Sequence, residues 1–123
     1  MKLLFIIGTG GFLGTVARYF TGQYIQTHWP FSFPLATFTI NLIGCFLIGV
    51  FYGLSVENNV LSPEWRLFLT VGFCGGFTTF SSFANENLLL LRNEQFLIFS
   101  LYVGLSVTLG LVATFLGNLI TKL

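Results

Sequence analysis

The chain has 123 residues, of which 54% are hydrophobic and 7% are charged, and its mean hydropathy is +0.87. A composition this apolar leaves too little polar surface for a water-soluble globule, so the bilayer is the expected solvent. The formal net charge of +1, without a basic or acidic run, gives no reason to expect a nucleic acid partner. We therefore predict one transmembrane domain, residues 1–123, built from four spans.

The first predicted span covers residues 3–25. It begins like a secretory signal, but glycines interrupt its apolar run and no clear cleavage site follows, so we expect it to be retained. The segment 8–14 also resembles a dinucleotide-binding loop, yet Leu13 stands at the third glycine position and no strand precedes it. Gly10 and Gly14 instead favour close packing against another membrane helix.

The second predicted span covers residues 34–56 and contains one strongly polar residue, Asn41. Thr37 lies one turn earlier on the same helical face. A buried amide can join two helices by hydrogen bonding, or it can donate an N–H to a dehydrated anion, and both interpretations stay open. Gly49 and Gly53, four residues apart, favour a second close helix contact.

The third predicted span, residues 66–92, is interrupted in its middle. Gly75 and Gly76 are followed by a run rich in hydroxyls, residues 78–82, which holds a continuous helix poorly. In lipid, unwound backbone is tolerated only where protein or a water-filled cavity satisfies its polar groups. The sequence therefore predicts a break near residues 75–79 that marks an internal site.

Aromatic rings follow this predicted break. Phe80 and Phe83 share a helical stripe, and the positive edges of phenyl rings can contact an anion without a neutralising cation. Glu86 lies one turn later on the face of Ser82 and Phe83. An intramembrane carboxylate is a functional candidate, although its proximity to Arg92 also allows a solvated carboxylate at the membrane interface.

The fourth predicted span, residues 95–120, is a plain apolar helix. Tyr102 and Ser106 lie one turn apart in it, where they either line the same route or serve ordinary packing. Arg18 lies deep in the first span, where a cation snorkels to the interface, attracts anions to the mouth of a pathway, or docks the broken helix.

Other reactive residues suggest no catalytic or metal chemistry. Cys45 and Cys74 fall inside predicted spans without the spacing of a metal cage, so we expect small packing residues. His28 is the only histidine and is expected in a connector beside Trp29. Because no nucleophile, base and orienting group occur together, the chain is not expected to be an enzyme.

The cations divide almost evenly between the two sides of the predicted topology. Lys2, Arg66 and Lys122 lie on one side, and Arg18 and Arg92 lie nearer the other. This difference is too small to fix an orientation, so the chain is able to insert both ways.

Taken in order, these motifs resemble those of the Fluc/CrcB family of fluoride channels, small four-helix membrane proteins of bacteria and archaea. The resemblance covers essentially the whole chain. Its most specific part is Gly72-x-x-Gly75-Gly76-x-Thr78-Thr79-Phe80-Ser81-Ser82-Phe83. Two further motifs support it, Gly10-Gly11-x-x-Gly14-x-x-x-Arg18-Tyr19 and Asn41-x-x-Gly44-x-x-x-x-Gly49.

The resemblance implies an all-α integral membrane protein of four transmembrane helices with a broken third helix. It implies an antiparallel, dual-topology homodimer with two fluoride pores and a structural Na⁺ at its centre. Fluoride would leave the cytoplasm through the bacterial inner membrane down its electrochemical gradient, which gives fluoride resistance. The implied roles are the fluoride pore (Asn41, Phe80, Phe83, Ser106, Tyr102), a polar track (Thr37, Ser82, Glu86), the anion entrance (Arg18) and the Na⁺-binding carbonyls (Gly75, Thr78).

Two alternatives to a channel fit the residues less well. A small four-helix multidrug exporter needs a membrane-centred carboxylate in its first span, and this span has none. A non-transporting membrane assembly subunit would use the glycine faces but would leave the hydroxyl and phenyl stripe unexplained.

Overall fold

The computed structural model describes all residues, 1–123, and it is entirely helical. The helices in chain order are α1 (Lys2–His28), α2 (Leu35–Glu57), α3 (residues 63–77), α4 (Phe80–Arg92) and α5 (Phe96–Ile120). The last turn of α2 (Gly53–Glu57) and the middle of α3 (Phe68–Cys74) are wound as π-helix. Four segments are long and apolar enough to cross a membrane, with α3 and α4 together forming the third. The predicted four-span architecture is confirmed.

Two helix ends differ from the prediction because of local capping. Helix α1 continues past residue 25 to His28, and the N–H of Trp29 donates to the Ile25 carbonyl at 2.8 Å. His28 therefore belongs to the last turn of α1, and its expected place in a connector is wrong. Helix α3 begins at Pro63, earlier than residue 66, because the Ser62 hydroxyl accepts from the Trp65 N–H at 3.3 Å.

The third span is broken at two threonines. Helix α3 ends at Phe77, and both Thr78 (φ −81°, ψ 159°) and Thr79 (φ −150°, ψ 115°) are extended. The Thr79 hydroxyl then caps α4 by accepting from the Ser82 N–H at 3.1 Å. A break in this segment was predicted correctly, but Gly75 and Gly76 are helical. A capping hydroxyl, rather than glycine flexibility, fixes where the helix stops.

Glycines of α1 lie directly against the backbone of α3. A Cβ added to Gly10 would come within 2.5 Å of the Phe68 carbonyl oxygen and 3.0 Å of the Gly72 Cα. A Cβ added to Gly14 would collide with the Phe73 carbonyl oxygen. The predicted close-approach face of the first span is therefore confirmed, and it holds α3 against α1 just before the break.

Helices α2 and α5 meet through a second set of glycines. A Cβ on Gly49 would collide with the Thr114 carbonyl, and one on Gly53 would collide with the Thr121 hydroxyl. Gly117 of α5 meets the Phe46 carbonyl in the same way. The predicted glycine face of the second span is confirmed, and it packs α2 closely against α5.

The outer surface of the chain is apolar. Only 18 of the 123 residues are buried inside the chain, and large side chains such as Phe12, Leu97 and Leu111 are mostly exposed. Such a surface is unstable in water but is the expected surface of a protein whose solvent is lipid or another membrane helix.

Candidate functional site

A cavity of about 450 Å³ opens beside the break in the third span. It is built by the middle of α2, the last turns of α3, the extended threonines, the first turn of α4 and the middle of α5. The lining residues are Asn41, Gly44, Cys45, Ile48, Thr70, Cys74, Gly75, Thr78, Thr79, Phe80, Phe83, Ser106 and Val107. The cavity contains no charged side chain, so it offers dipoles and ring edges rather than a fixed charge.

Asn41 binds the break through both ends of its amide. Its Nδ2 donates to the Thr79 carbonyl at 3.1 Å, and its Oδ1 accepts from the Thr79 N–H at 2.9 Å. These bonds use the oxygen and one of the two amide hydrogens. Asn41 thus joins α2 to the break, which is the first of the two interpretations that the sequence left open, and its second amide hydrogen has no partner within the chain.

The carbonyls of residues 75–78 have lost their helical donors at the break, and those of Gly75 and Thr78 border the cavity. In a continuous helix the Thr79 N–H would donate to the Gly75 carbonyl, but here it donates to Asn41. The Ser82 N–H would donate to the Thr78 carbonyl, but here it donates to the Thr79 hydroxyl. The Gly75 and Thr78 oxygens are therefore available to other partners, and both residues line the cavity. These are the residues whose carbonyls the sequence resemblance selects for Na⁺.

Arg18 lies at the same break from the side of α1. Its Nε donates to the Gly76 carbonyl at 3.1 Å. A guanidinium at the C-terminal end of α3 also compensates the negative end of that helix dipole. Arg18 therefore docks the broken helix, which is one of the three roles that the sequence left open. Arg18 is not among the residues that line the cavity.

The two phenyl rings stand at the rim and wall of the cavity. Phe80 is 79% exposed, Phe83 is partly buried, and their ring centroids lie 5.7 Å apart with planes tilted by 38°. Ser106 of α5 also lines the cavity, and its hydroxyl is buried without a hydrogen-bond partner. A buried hydroxyl of this kind is a free donor for a group inside the cavity.

A carboxylate lies behind the phenyl wall. Glu86 accepts hydrogen bonds from the Thr37 and Tyr102 hydroxyls, each at 2.7 Å. Tyr102 is fully buried, its ring lies 4.9 Å from that of Phe83, and it does not line the cavity. Thr37, Glu86 and Tyr102 form one connected group. Ser82 is linked to this group only by its position one turn before Glu86 on α4.

Some lining residues were not predicted as site residues. Thr79 is the central one, since it caps α4 and binds Asn41, and its only sequence signal is a capping residue type at the start of a new helix. Cys45 and Cys74 were expected to be packing residues only, but both line the cavity. Nothing in their spacing along the chain indicates that they share it.

These observations define a class of membrane protein. The chain is a multi-pass membrane protein whose third span breaks around a cavity lined by uncharged donors. Residues 5–118 match the model of the family described as CrcB-like protein, Camphor Resistance (CrcB). Because this match covers most of the chain, the protein belongs to the CrcB-like family. It is a multi-pass protein of the bacterial inner membrane.

Curated relatives align along nearly their whole length. A relative from Flavobacterium psychrophilum is 50% identical over 122 residues, which is 99% of this chain and 98% of the relative. One from Chlorobium luteolum is 48% identical over 95% of this chain and 90% of its own. One from Bacteroides fragilis is 49% identical over 96% of this chain and 94% of its own length. All three are named Fluoride-specific ion channel FluC, so the prediction that the chain is not an enzyme is confirmed.

Proposed function

We propose that this chain is the subunit of a fluoride-selective ion channel. The observation that carries the proposal is the cavity at the broken third span, where Asn41, Ser106, Phe80 and Phe83 place uncharged donors around one space. The relatives named as fluoride channels align over this segment and nearly the whole chain. The structure and the relatives therefore support the same function independently.

Fluoride is small and strongly hydrated, so a pore that accepts it must replace many water contacts. Asn41 keeps one free amide hydrogen, and the Ser106 hydroxyl has no other partner. The edges of Phe80 and Phe83 carry partial positive charge. Such donors are weak individually, so they release the ion as readily as they admit it, and a narrow path between them disfavours the larger chloride.

The polar track behind the rings, Thr37, Glu86 and Ser82, is proposed to support this path. Glu86 already accepts from Thr37 and Tyr102, and these bonds fix Tyr102 against the Phe83 ring. Tyr102 is proposed to border the pore from behind Phe83. Arg18 is proposed to raise the local anion concentration at the entrance while its Nε holds the break.

The channel is proposed to let fluoride out of the cytoplasm. The lining contains no carboxylate, histidine or lysine that could couple transport to a proton gradient, so transport follows the electrochemical gradient. A monovalent anion gains about 2.3 kcal/mol per 100 mV in leaving an inside-negative cell. Passive export of this kind gives resistance to environmental fluoride.

Two chains in opposite orientation are proposed to form the working dimer, with two pores. The cavity is open along one side of the single chain, and both Gly75 and Phe80 are exposed there. The near balance of cations on the two sides permits both orientations. A terminal tag labelled from each side of the membrane tests this arrangement, and a single orientation in all molecules would contradict it.

A structural Na⁺ is proposed at the centre of the dimer, held by the Gly75 and Thr78 carbonyls. Both oxygens have lost their helical donors to other groups, which leaves them free to bind a hard cation. When bound, Na⁺ would supply a fixed positive charge between the two broken helices. Comparing the stability of the purified protein against unfolding in buffers with and without Na⁺ tests this proposal.

The decisive experiment measures fluoride efflux. The purified chain is reconstituted into liposomes loaded with fluoride or chloride, and efflux is followed with ion-selective electrodes after a potassium ionophore removes the charge imbalance. We expect rapid fluoride release and almost no chloride release. Equal release of both anions, or release no faster than from protein-free liposomes, would contradict the proposal.

A further inference from the structure

The two cysteines of the chain face the same cavity from different helices. Cys45 lies in the middle of α2 and Cys74 lies one turn before the break in α3, and both are free thiols. Cys74 is only 4% exposed, so its sulfur is reached through the cavity rather than from the outer surface. The proposed fluoride pore assigns no role to either sulfur.

The helix register brings Cys45 and Cys74 to the same level of the bundle, where the Cys45 sulfur also lies beside Gly110 of α5. Gly44 of α2 meets the Thr78 side chain, where an added Cβ would collide with Thr78 Cγ2. Cys74 lies one turn before Thr78, whose N–H and hydroxyl both donate to the Cys74 carbonyl. Because α2 and α3 are consecutive spans and run in opposite directions, Cys74 faces the turn of α2 that follows Gly44, residues 45–48.

We propose that Cys45 and Cys74 form a two-thiolate site for a soft divalent cation of the Hg²⁺ type, and that a cation bound there closes the cavity to anions. Two S–H bonds break, two S–metal bonds form and two protons pass to water, so the step needs no oxidant or reductant. Metal–thiolate bonds of about 2.3 Å let one ion join two sulfurs on facing helices. Only the blocking effect rests on the proposed fluoride function.

The chemistry of the cavity selects a soft cation over a hard one. The lining has no carboxylate, and no group of three or more His, Cys, Asp or Glu side chains exists to complete a zinc cage. A two-coordinate ion is satisfied by the two sulfurs alone. One divalent cation with two thiolates is neutral, so the complex avoids the large cost of an unpaired charge in apolar surroundings. Thiolates are soft ligands and bind soft metals tightly, whereas alkaline-earth ions are hard and prefer oxygen ligands.

Binding is tested with Hg²⁺ alone on the purified protein in detergent. Native mass spectrometry and thiolate–metal ultraviolet absorption are recorded for the parent, Cys45→Ser, Cys74→Ser and the double variant. We expect one ion per parent chain, held roughly 100-fold more tightly than in either single variant because the second thiolate binds intramolecularly. The double variant retains no thiol, so it measures binding at His28 and other sites. Equal affinity in the single variants, two ions per chain, or one ion shared by two chains would overturn the proposal.

Blocking is tested in the fluoride-loaded liposomes by comparing each protein with and without Hg²⁺. We expect Hg²⁺ to reduce parent efflux at least tenfold and to leave the efflux of the double variant at its own metal-free rate. Undiminished efflux from parent protein loaded with one ion per chain would overturn the blocking role. If no protein releases fluoride even without metal, the proposed channel function fails while the binding result stands.

Discussion

The paired hydrogen bonds between Asn41 and Thr79 make a sharp prediction for Asn41→Asp. The substitution keeps the side-chain shape and the oxygen that accepts from the Thr79 N–H at 2.9 Å. It replaces the Nδ2 donor, 3.1 Å from the Thr79 carbonyl, with a second oxygen. The bond to the Thr79 carbonyl is therefore lost, and a carboxylate oxygen faces that carbonyl oxygen instead. The second amide N–H of Asn41 is lost as well.

The expected effects on stability and conduction differ in size. A lost hydrogen bond that leaves a carbonyl unpaired away from water costs about 1–3 kcal/mol, so the variant folds but unfolds at lower denaturant concentration. The new carboxylate repels an anion about 4 Å away by about 4 kcal/mol at an effective dielectric constant near 20. Such an increase in the barrier slows fluoride passage by roughly three orders of magnitude.

Fluoride efflux from liposomes and unfolding followed by tryptophan fluorescence measure both effects. Asn59→Asp is the matched control, because Asn59 lies in the connector after α2 at a positive φ of 55°, outside the cavity, and aspartate tolerates the same backbone conformation. The control is expected to fold and conduct like the parent. Parent-like efflux from Asn41→Asp would refute the assignment of Asn41 as a pore donor, and unchanged stability would refute the importance of its bonds to Thr79.

Three further predictions concern the rings, the helix contacts and the partly buried carboxylate of Glu86. Replacing Phe80 or Phe83 by Ile keeps an apolar side chain but removes the ring edge, so fluoride efflux is expected to fall severely while size-exclusion chromatography shows the parent assembly; parent-rate efflux from both variants would eliminate the anion–ring mechanism. Gly14→Ala forces a methyl group into the backbone of α3 and is expected to cost about 1–3 kcal/mol in unfolding, whereas Gly8→Ala, with nothing within 4 Å, is expected to be neutral or slightly stabilising. Glu86→Gln replaces one of the two carboxylate oxygens, which accept from the Thr37 and Tyr102 hydroxyls, with an NH₂ group that cannot accept. Fluoride efflux from liposomes is therefore expected to fall with little change in assembly, and an unchanged efflux rate would remove the polar track from the conduction path.

The features that the sequence predicts well are those with a local cause. Four apolar segments of sufficient length predict the four spans, because hydropathy is a property of each segment by itself. Glycines at spacings of four, such as Gly10 and Gly14, predict close helix contacts because one turn of helix puts them on one face. The hydroxyl-rich run after Gly76 predicts a break because those residues compete with helical hydrogen bonding.

The features that the sequence does not predict depend on which segments meet. Asn41 and Thr79 are 38 residues apart, and no local pattern indicates that the amide of one binds the peptide group of the other. The exact site of the break follows from that contact and from the Thr79 cap, which is why the helix continues through Gly75 and Gly76 and ends at Phe77. The common cavity of Cys45 and Cys74 is a consequence of the same packing.

The break is stable because its freed polar groups are satisfied selectively. Asn41 from α2 binds the Thr79 peptide, Arg18 from α1 binds the Gly76 carbonyl, and the Thr79 hydroxyl binds the first turn of α4. These three partners stabilise the interruption without filling the adjacent space. The carbonyls of residues 75, 77 and 78 have also lost their helical donors, and two of these residues, Gly75 and Thr78, line the cavity. Since unpaired carbonyls in a membrane are costly, the proposed Na⁺ would offset this cost by binding the Gly75 and Thr78 oxygens.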